Sequence, residues 1–168
     1  TSQQPASEAP ETPKTVPDIR TLLREGQSLV VQVTKDPIGT KGARLTTQLS
    51  IPSRYLVFMP GVRHVGISQR IEDETERSRL KSLVEEGAAA EPDISGGYII
   101  RTAAEAASED DLIGDMTYLH RLNQAIEERI TRSQAPSVVY QDLPLFIRTI
   151  RDLIRPQTEK VRIDSRES

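Results

Sequence analysis

The stretch "ASEDDLIGDMTYLHRLNQAIEERI" places the first constraint on the fold. Leu112, Met116, Leu119, Leu122, Ile126 and Ile130 recur every three or four residues, the spacing that lines one face of an α-helix. Ser108 stands just before the run with Asp111 three residues on. In that pattern a hydroxyl caps the first turn while the acid reaches back to it. The spacing predicts a helix over about 109–132.

Around it the chain alternates between strand and helix signals. Residues 1–17, "TSQQPASEAPETPKTVP", hold four prolines, no aromatic and one large aliphatic, Val16. Such a segment buries too little surface to offset its ordering entropy, and we read it as a disordered linker. A brief turn-like helix follows Asp18. Gly26 separates it from a strand over 29–34, where Leu29, Val31 and Val33 alternate with Val30, Gln32 and Thr34. β-branched runs bounded by Pro37–Gly42 and Pro52–Ser53 predict strands near 44–50 and 54–59. "GVRHVGISQRIED" reads as a loop with a short strand in it. A second helix is predicted from Asp73 to about Glu86, with Leu80, Leu83 and Val84 inward and acidic residues in its first turn. "GAAAEPDISGG" should break it. A strand over 98–101 comes next. After the long helix, "PSVVYQD" reads as a strand, Pro144 opens a helix through Ile154, and "EKVRID" closes a terminal β-α-β segment.

Several function classes are excluded or weakened. No run approaches the roughly 20 apolar residues of a membrane helix, and the start lacks a signal-peptide pattern. A start at Thr1 fits a processed form or an excised piece. The absence of cysteine removes disulfides, thiolate zinc sites and cysteine nucleophiles, and it fits a reducing cytoplasm. His64 and His120 are the two histidines; a loop position and a satisfied helical imidazole account for them. The acidic clusters fall at predicted helix starts, where the helix dipole favours negative charge. A two-metal nuclease centre needs converging carboxylates, and Asp164 stands alone. No phosphate loop of the P-loop or dinucleotide type is present. On its own residues the chain offers no catalytic group.

Anion binding is better supported. From Lys35 to Arg70 the chain carries six basic residues and one acid, a local charge of +5 against −8 for the remainder. Such an island is either an anion-binding surface or a solvated strand face. In "YIIRTAAE" a predicted strand delivers Arg101 and Thr102 side by side, followed by two alanines. A guanidinium fork and a hydroxyl match the oxygens of a terminal phosphate. The alternative is an arginine paired with a neighbouring acid such as Glu105. Residues 1–54 hold no aromatic, so this part has no platform on which bases stack. It reads as half of a β-barrel whose stacking half lies elsewhere.

"LLREGQSLVVQVTKDPIGTKGARLTTQLSIPSRYLVFMPG", "VGISQRIE" and "IIRTAAE", in that order, resemble the ribonuclease E/G family, and "KDPIGTKGARLTT" and "PSRYLVFMPG" its ribonuclease G branch. The resemblance runs from about Asp18 to Asp164. It implies an RNA-binding, 5′-monophosphate-sensing piece of a bacterial endoribonuclease that cuts single-stranded RNA in the cytoplasm. For the whole enzyme it implies magnesium held by aspartates, an interdomain zinc and an oligomeric state. The implied fold is α+β: the second part of an OB-type RNA-binding barrel over 18–51, a 5′-sensor subdomain over 52–145, and a segment of an RNase-H-like domain over 146–168. The catalytic aspartates and the zinc-binding cysteines would lie outside this chain, leaving it no catalytic or metal-binding residue of its own.

Carried over residue by residue, the resemblance assigns the 5′-phosphate to Arg101, Thr102, Val57 and Ser53, the last two through backbone groups. The ribonuclease E branch of the family has glycine where Ser53 stands. RNA contact is assigned to Lys41, Lys35 and Arg70, although Gln69 beside Arg70 departs from the family pattern. A rival reading is a non-catalytic assembly domain that uses the 109–132 helix as its interface.

Overall fold

The protein is described by a computed structural model covering residues 18–91, 95–154 and 157–164. The disordered linker expected over 1–17 lies outside the described residues.

A four-stranded sheet in the order β3-β4-β6-β5 is built from β3 (Ile51–Pro52), β4 (Leu56–Pro60), β5 (Val65–Ile67) and β6 (Gly96–Ile100). β4 pairs antiparallel with both β3 and β6, whereas β5 lies parallel to β6. A parallel pair needs a crossover, and α2 (Glu74–Ala90) supplies it. α2 starts where predicted: Asp73 Oδ1 accepts the N–H groups of Thr75 at 2.7 Å and Glu76 at 3.2 Å. It runs on past Glu86, because the alanines after Gly87 are strong helix formers. It stops at Glu91, whose backbone is not helical and which precedes a proline in the sequence.

α3 (Glu109–Arg132) spans the predicted residues and carries the predicted capping box between Ser108 and Asp111. Together α2 and α3 cover one face of the sheet. The core there joins Leu56 and Phe58 of β4, Tyr98 and Ile100 of β6, Leu80 and Val84 of α2, and Leu112, Met116, Leu119 and Ile126 of α3. The Phe58 and Tyr98 rings lie 5.3 Å apart. Each of these large side chains contributes about 1.5–3 kcal/mol by leaving water. β6 reaches its neighbours closely because of Gly97: a Cβ there would sit 2.3 Å from the carbonyl oxygens of His64 and Val62. The opposite face of the sheet is not covered in this way. Val57 and Ile99, paired across β4 and β6, point to it, and Ile99 remains 38% exposed.

The N-terminal part forms α1 (Ile19–Leu22) and an antiparallel ribbon of β1 (Gln32–Lys35) with β2 (Arg44–Thr46). The described residues contain this ribbon and no closed barrel. The expected strands shift here. Residues 29–31 precede β1 without pairing, and the predicted 44–50 strand ends at Thr46. The predicted 54–59 strand begins at Leu56 because Ser53–Tyr55 is a tight turn, with Ser53 N–H donating to Leu56 O at 2.8 Å.

The C-terminal part corrects the β-α-β expectation. α4 (Leu145–Leu153) is present, but neither "PSVVYQD" nor "EKVRID" forms a strand among the described residues. A strand needs a partner ladder, and among the described residues the sheet ends at β3 and β5 with no neighbour beyond. Val139 and Tyr140 are instead partly buried against the core.

Candidate functional site

The sheet delivers Arg101 at the end of β6, where its N–H donates to Tyr55 O at 2.8 Å. Its guanidinium reaches back to the Ser53 turn. Nη1 donates to the carbonyls of Ser53 and, at 3.0 Å, Arg54. It also faces Asp152 of α4, with Nη1 3.4 Å from Oδ1 and Nη2 3.1 Å from Oδ2. The acidic partner of Arg101 is therefore Asp152, 51 residues away, and not the neighbouring Glu105 weighed in the sequence.

The turn that presents those carbonyls is organised by Asp115 on α3. One carboxylate oxygen, Oδ2, accepts from Ser53 Oγ and from the N–H groups of Tyr55 and Leu56, the latter two at 2.9 Å. Ser53 is only 1% exposed, and its single hydroxyl proton lies within reach of both Asp115 Oδ2 and Leu56 O, the latter 2.9 Å away. The signal for Asp115 was in the sequence: it lies three residues after Leu112 and four before Leu119, on the inward stripe.

Thr102 begins a 3-10 turn, Thr102–Ala104. Its Oγ1 lies 3.1 Å from Ser68 Oγ, and Ser68 Oγ accepts from the Arg70 N–H at 3.3 Å. This links the residue after β5 to the second residue after β6. The segment is also latched to α2: Glu76 Oε1 accepts the Ala106 N–H at 2.9 Å, and Arg79 Nη2 donates to both Glu76 Oε1 and Ala107 O. The hydrogen bonds from Arg79 and from Ala106 pull the Glu76 pKa from 4.5 to about 2. At Asp152 burial opposes ionisation, but the hydrogen bonds from Arg151 and Arg101 outweigh it and hold the carboxyl below its ordinary range.

An open pocket of about 460 Å³ lies here, its lining including Ser68, Arg70, Ile99, Arg101, Thr102 and Ala103. Arg70 is exposed and makes no side-chain hydrogen bond or ion pair among the described residues. Two arginines, two hydroxyl-bearing residues and a small alanine thus line one cavity. Ser53 joins them through its carbonyl on Arg101, and Val57 stands opposite Ile99 in the ladder. Lys35 and Lys41 are not among the pocket's lining: Lys35 ends β1, Lys41 bridges Ile38 in the connecting loop, and both are exposed.

Other candidates resolve structurally. His120 is buried, with Nε2 against the Tyr98 hydroxyl and Nδ1 2.8 Å from Glu91 Oε2, the satisfied imidazole expected. His64 is exposed. Among the described residues no three His, Asp or Glu side chains gather as a metal site, and no helix is long and apolar enough to cross a membrane. The chain has no cysteine, so no thiolate is available as a zinc ligand.

A pocket lined by two arginines at the edge of a helix-covered sheet belongs to a mixed α/β module. The model of the ribonuclease E/G family matches residues 50–168, and this chain belongs to that family. It is 54% identical to ribonuclease G of Salmonella typhimurium (strain SL1344) over 152 residues, covering 90% of this chain and 30% of that protein. The identity to ribonuclease G of Escherichia coli (strain K12) is 53% over the same length and coverage. Ribonuclease E of Nostoc sp. (strain PCC 7120 / SAG 25.82 / UTEX 2576) is 36% identical over 152 residues, which cover 22% of it. The chain thus spans about a third or less of the relatives it matches.

Proposed function

We propose that this chain is the RNA-binding, 5′-monophosphate-sensing portion of a bacterial, cytoplasmic endoribonuclease of the ribonuclease G type. The observation that carries the reading is the convergence of Arg101, Thr102, Ser68 and Arg70 on one pocket. A 5′-monophosphate brings close to two negative charges and several acceptor oxygens. Arg101 and Arg70 neutralise it, the hydroxyls of Thr102 and Ser68 donate to it, and Ala103 leaves it room. Ser53 and Val57 act by framing this end of the sheet. A 5′-hydroxyl would leave the arginines unpaired, and that cost is how the site tells the two ends apart.

In this reading the β1–β2 ribbon is the second half of an OB-type barrel within 18–51, the sensor spans 52–145, and 146–168 belongs to an RNase-H-like domain. Lys41 and Lys35 hold the RNA backbone electrostatically. Cleavage of single-stranded RNA, with magnesium, interdomain zinc and oligomer contacts, is assigned to the longer protein. The chain alone binds without cutting. The assembly-domain alternative is disfavoured by α3 itself, since Leu112, Met116, Leu119 and Ile126 face the core and are not offered to a partner.

The test is a titration with adenosine 5′-monophosphate, and with adenosine as control, followed by ¹⁵N NMR. Shifts should concentrate at residues 53–57, 68–70 and 101–103 with the nucleotide and stay absent with the nucleoside. Equal responses to both, or shifts elsewhere, would contradict the phosphate assignment.

A further inference from the structure

α4 has no buried residue, yet its last turn is wired into the pocket's wall. Arg151 Nη1 donates to Pro52 O at 3.2 Å and Nε to Asp152 Oδ1 at 2.9 Å. Asp152 in turn meets both terminal nitrogens of Arg101, and Nη1 of that arginine also serves the Ser53 and Arg54 carbonyls. One edge of the Arg101 guanidinium is thereby held by the chain itself. Its other edge, Nε–H and the second Nη2 hydrogen, has no acceptor among the described residues.

We propose that Asp152 is a positioning residue for 5′-end discrimination: it grips Arg101 by the Nη edge and offers the Nε edge to the terminal phosphate. The inference rests on the 5′-phosphate reading and adds a residue and an element to it. A carboxylate beside an anion site weakens the local positive potential, so its presence must be offset by what it does to geometry. A guanidinium already fixed in place loses less conformational freedom when the phosphate arrives, which is the advantage of preorganisation. Because Arg151 clamps Asp152 and the Pro52 carbonyl together, the position of α4 sets the aim of Arg101. The opposite role for Asp152, a stand-in that the phosphate must displace, predicts the opposite sign.

The test uses a short RNA labelled at its 3′ end, prepared with a 5′-monophosphate or a 5′-hydroxyl, and fluorescence anisotropy with the full chain. The readout is the ratio of the two affinities, which a general loss of stability would not move while the protein stays folded. Asp152→Asn should lower that ratio about tenfold, as expected for losing one charge-assisted hydrogen bond. Asp152→Glu should recover part of it. Arg151→Gln, which loosens the clamp without touching Arg101, should lower the ratio by less. Thermal melts identify any variant that fails to fold. An Asp152→Asn protein that keeps or raises a clear wild-type preference overturns the positioning role alone. A wild-type chain with no preference overturns the phosphate reading and this inference with it.

Discussion

Removing the carboxylate of Asp115 is the perturbation with the most far-reaching structural consequence. Its Oδ2 accepts three hydrogen bonds, from Ser53 Oγ and from the Tyr55 and Leu56 N–H groups. Leu56 is fully buried and Ser53 nearly so. In Asp115→Ala the Ser53 hydroxyl still has Leu56 O, but two backbone donors lose their acceptor. At about 1–3 kcal/mol for each buried group left unsatisfied, the loss should come to about 3 kcal/mol. That is a large share of a typical stability of about 5–15 kcal/mol. Asp115→Asn keeps an acceptor oxygen and loses the charge, so it should cost about 1 kcal/mol. Urea denaturation followed by circular dichroism measures both, and the order should be wild type, Asn, Ala. The same turn presents the carbonyls that hold Arg101, so both variants should also weaken any preference for a 5′-phosphate. An Asp115→Ala chain within about 0.5 kcal/mol of wild type, the range of an inconsequential surface change, would refute the idea that this carboxylate organises the turn.

Gly97→Ala places a Cβ 2.3 Å from the His64 and Val62 carbonyl oxygens; the backbone must shift, and thermal melts should show a loss of about 3 kcal/mol, at the high end for overpacking. Glu76 has its pKa depressed from 4.5 to about 2 by Arg79 and Ala106. Its contribution to stability is therefore complete above about 4.5 and lost as pH falls through about 2. Denaturation curves across that window should fall less steeply for Glu76→Gln than for wild type; parallel curves would contradict the latch. Lys41→Ala should flatten the plot of log affinity against log salt by about 0.7, the loss of one phosphate contact to a single strand, and an unchanged slope would remove Lys41 from the RNA path.

The parts of this fold that were legible in the sequence are those decided locally. Ser108 and Asp111 are close enough in the chain to announce the start of α3, and its apolar stripe announced its length and inward face. Asp73 did the same for α2. Arg101 and Thr102 stood out because the strand, the charge and the following alanines are contiguous. What was not legible depends on partners far along the chain. The Ser53–Tyr55 turn interrupts a β-rich run because of Asp115 on another element. Asp152 meets Arg101 only once α4 is docked. The segments around Val139 and Val161 have strand composition, but β propensity acts through a neighbouring ladder, and none is present among the described residues. Ser68 joined the site through the parallel pairing of β5 with β6, which carries it alongside the end of β6: its N–H donates to Ile100 O at 2.9 Å.

The central claim is that this chain recognises the phosphorylated 5′ end of RNA through Arg101. It is tested most directly by measuring the affinity of wild type and Arg101→Ala for one short RNA carrying either a 5′-monophosphate or a 5′-hydroxyl, at two salt concentrations. The account predicts tighter binding of the monophosphate by wild type, equal binding of both RNAs by the variant, and weaker binding of every species at the higher salt. Equal affinities for the two RNAs in the wild-type chain, or a preference that survives Arg101→Ala, would contradict it.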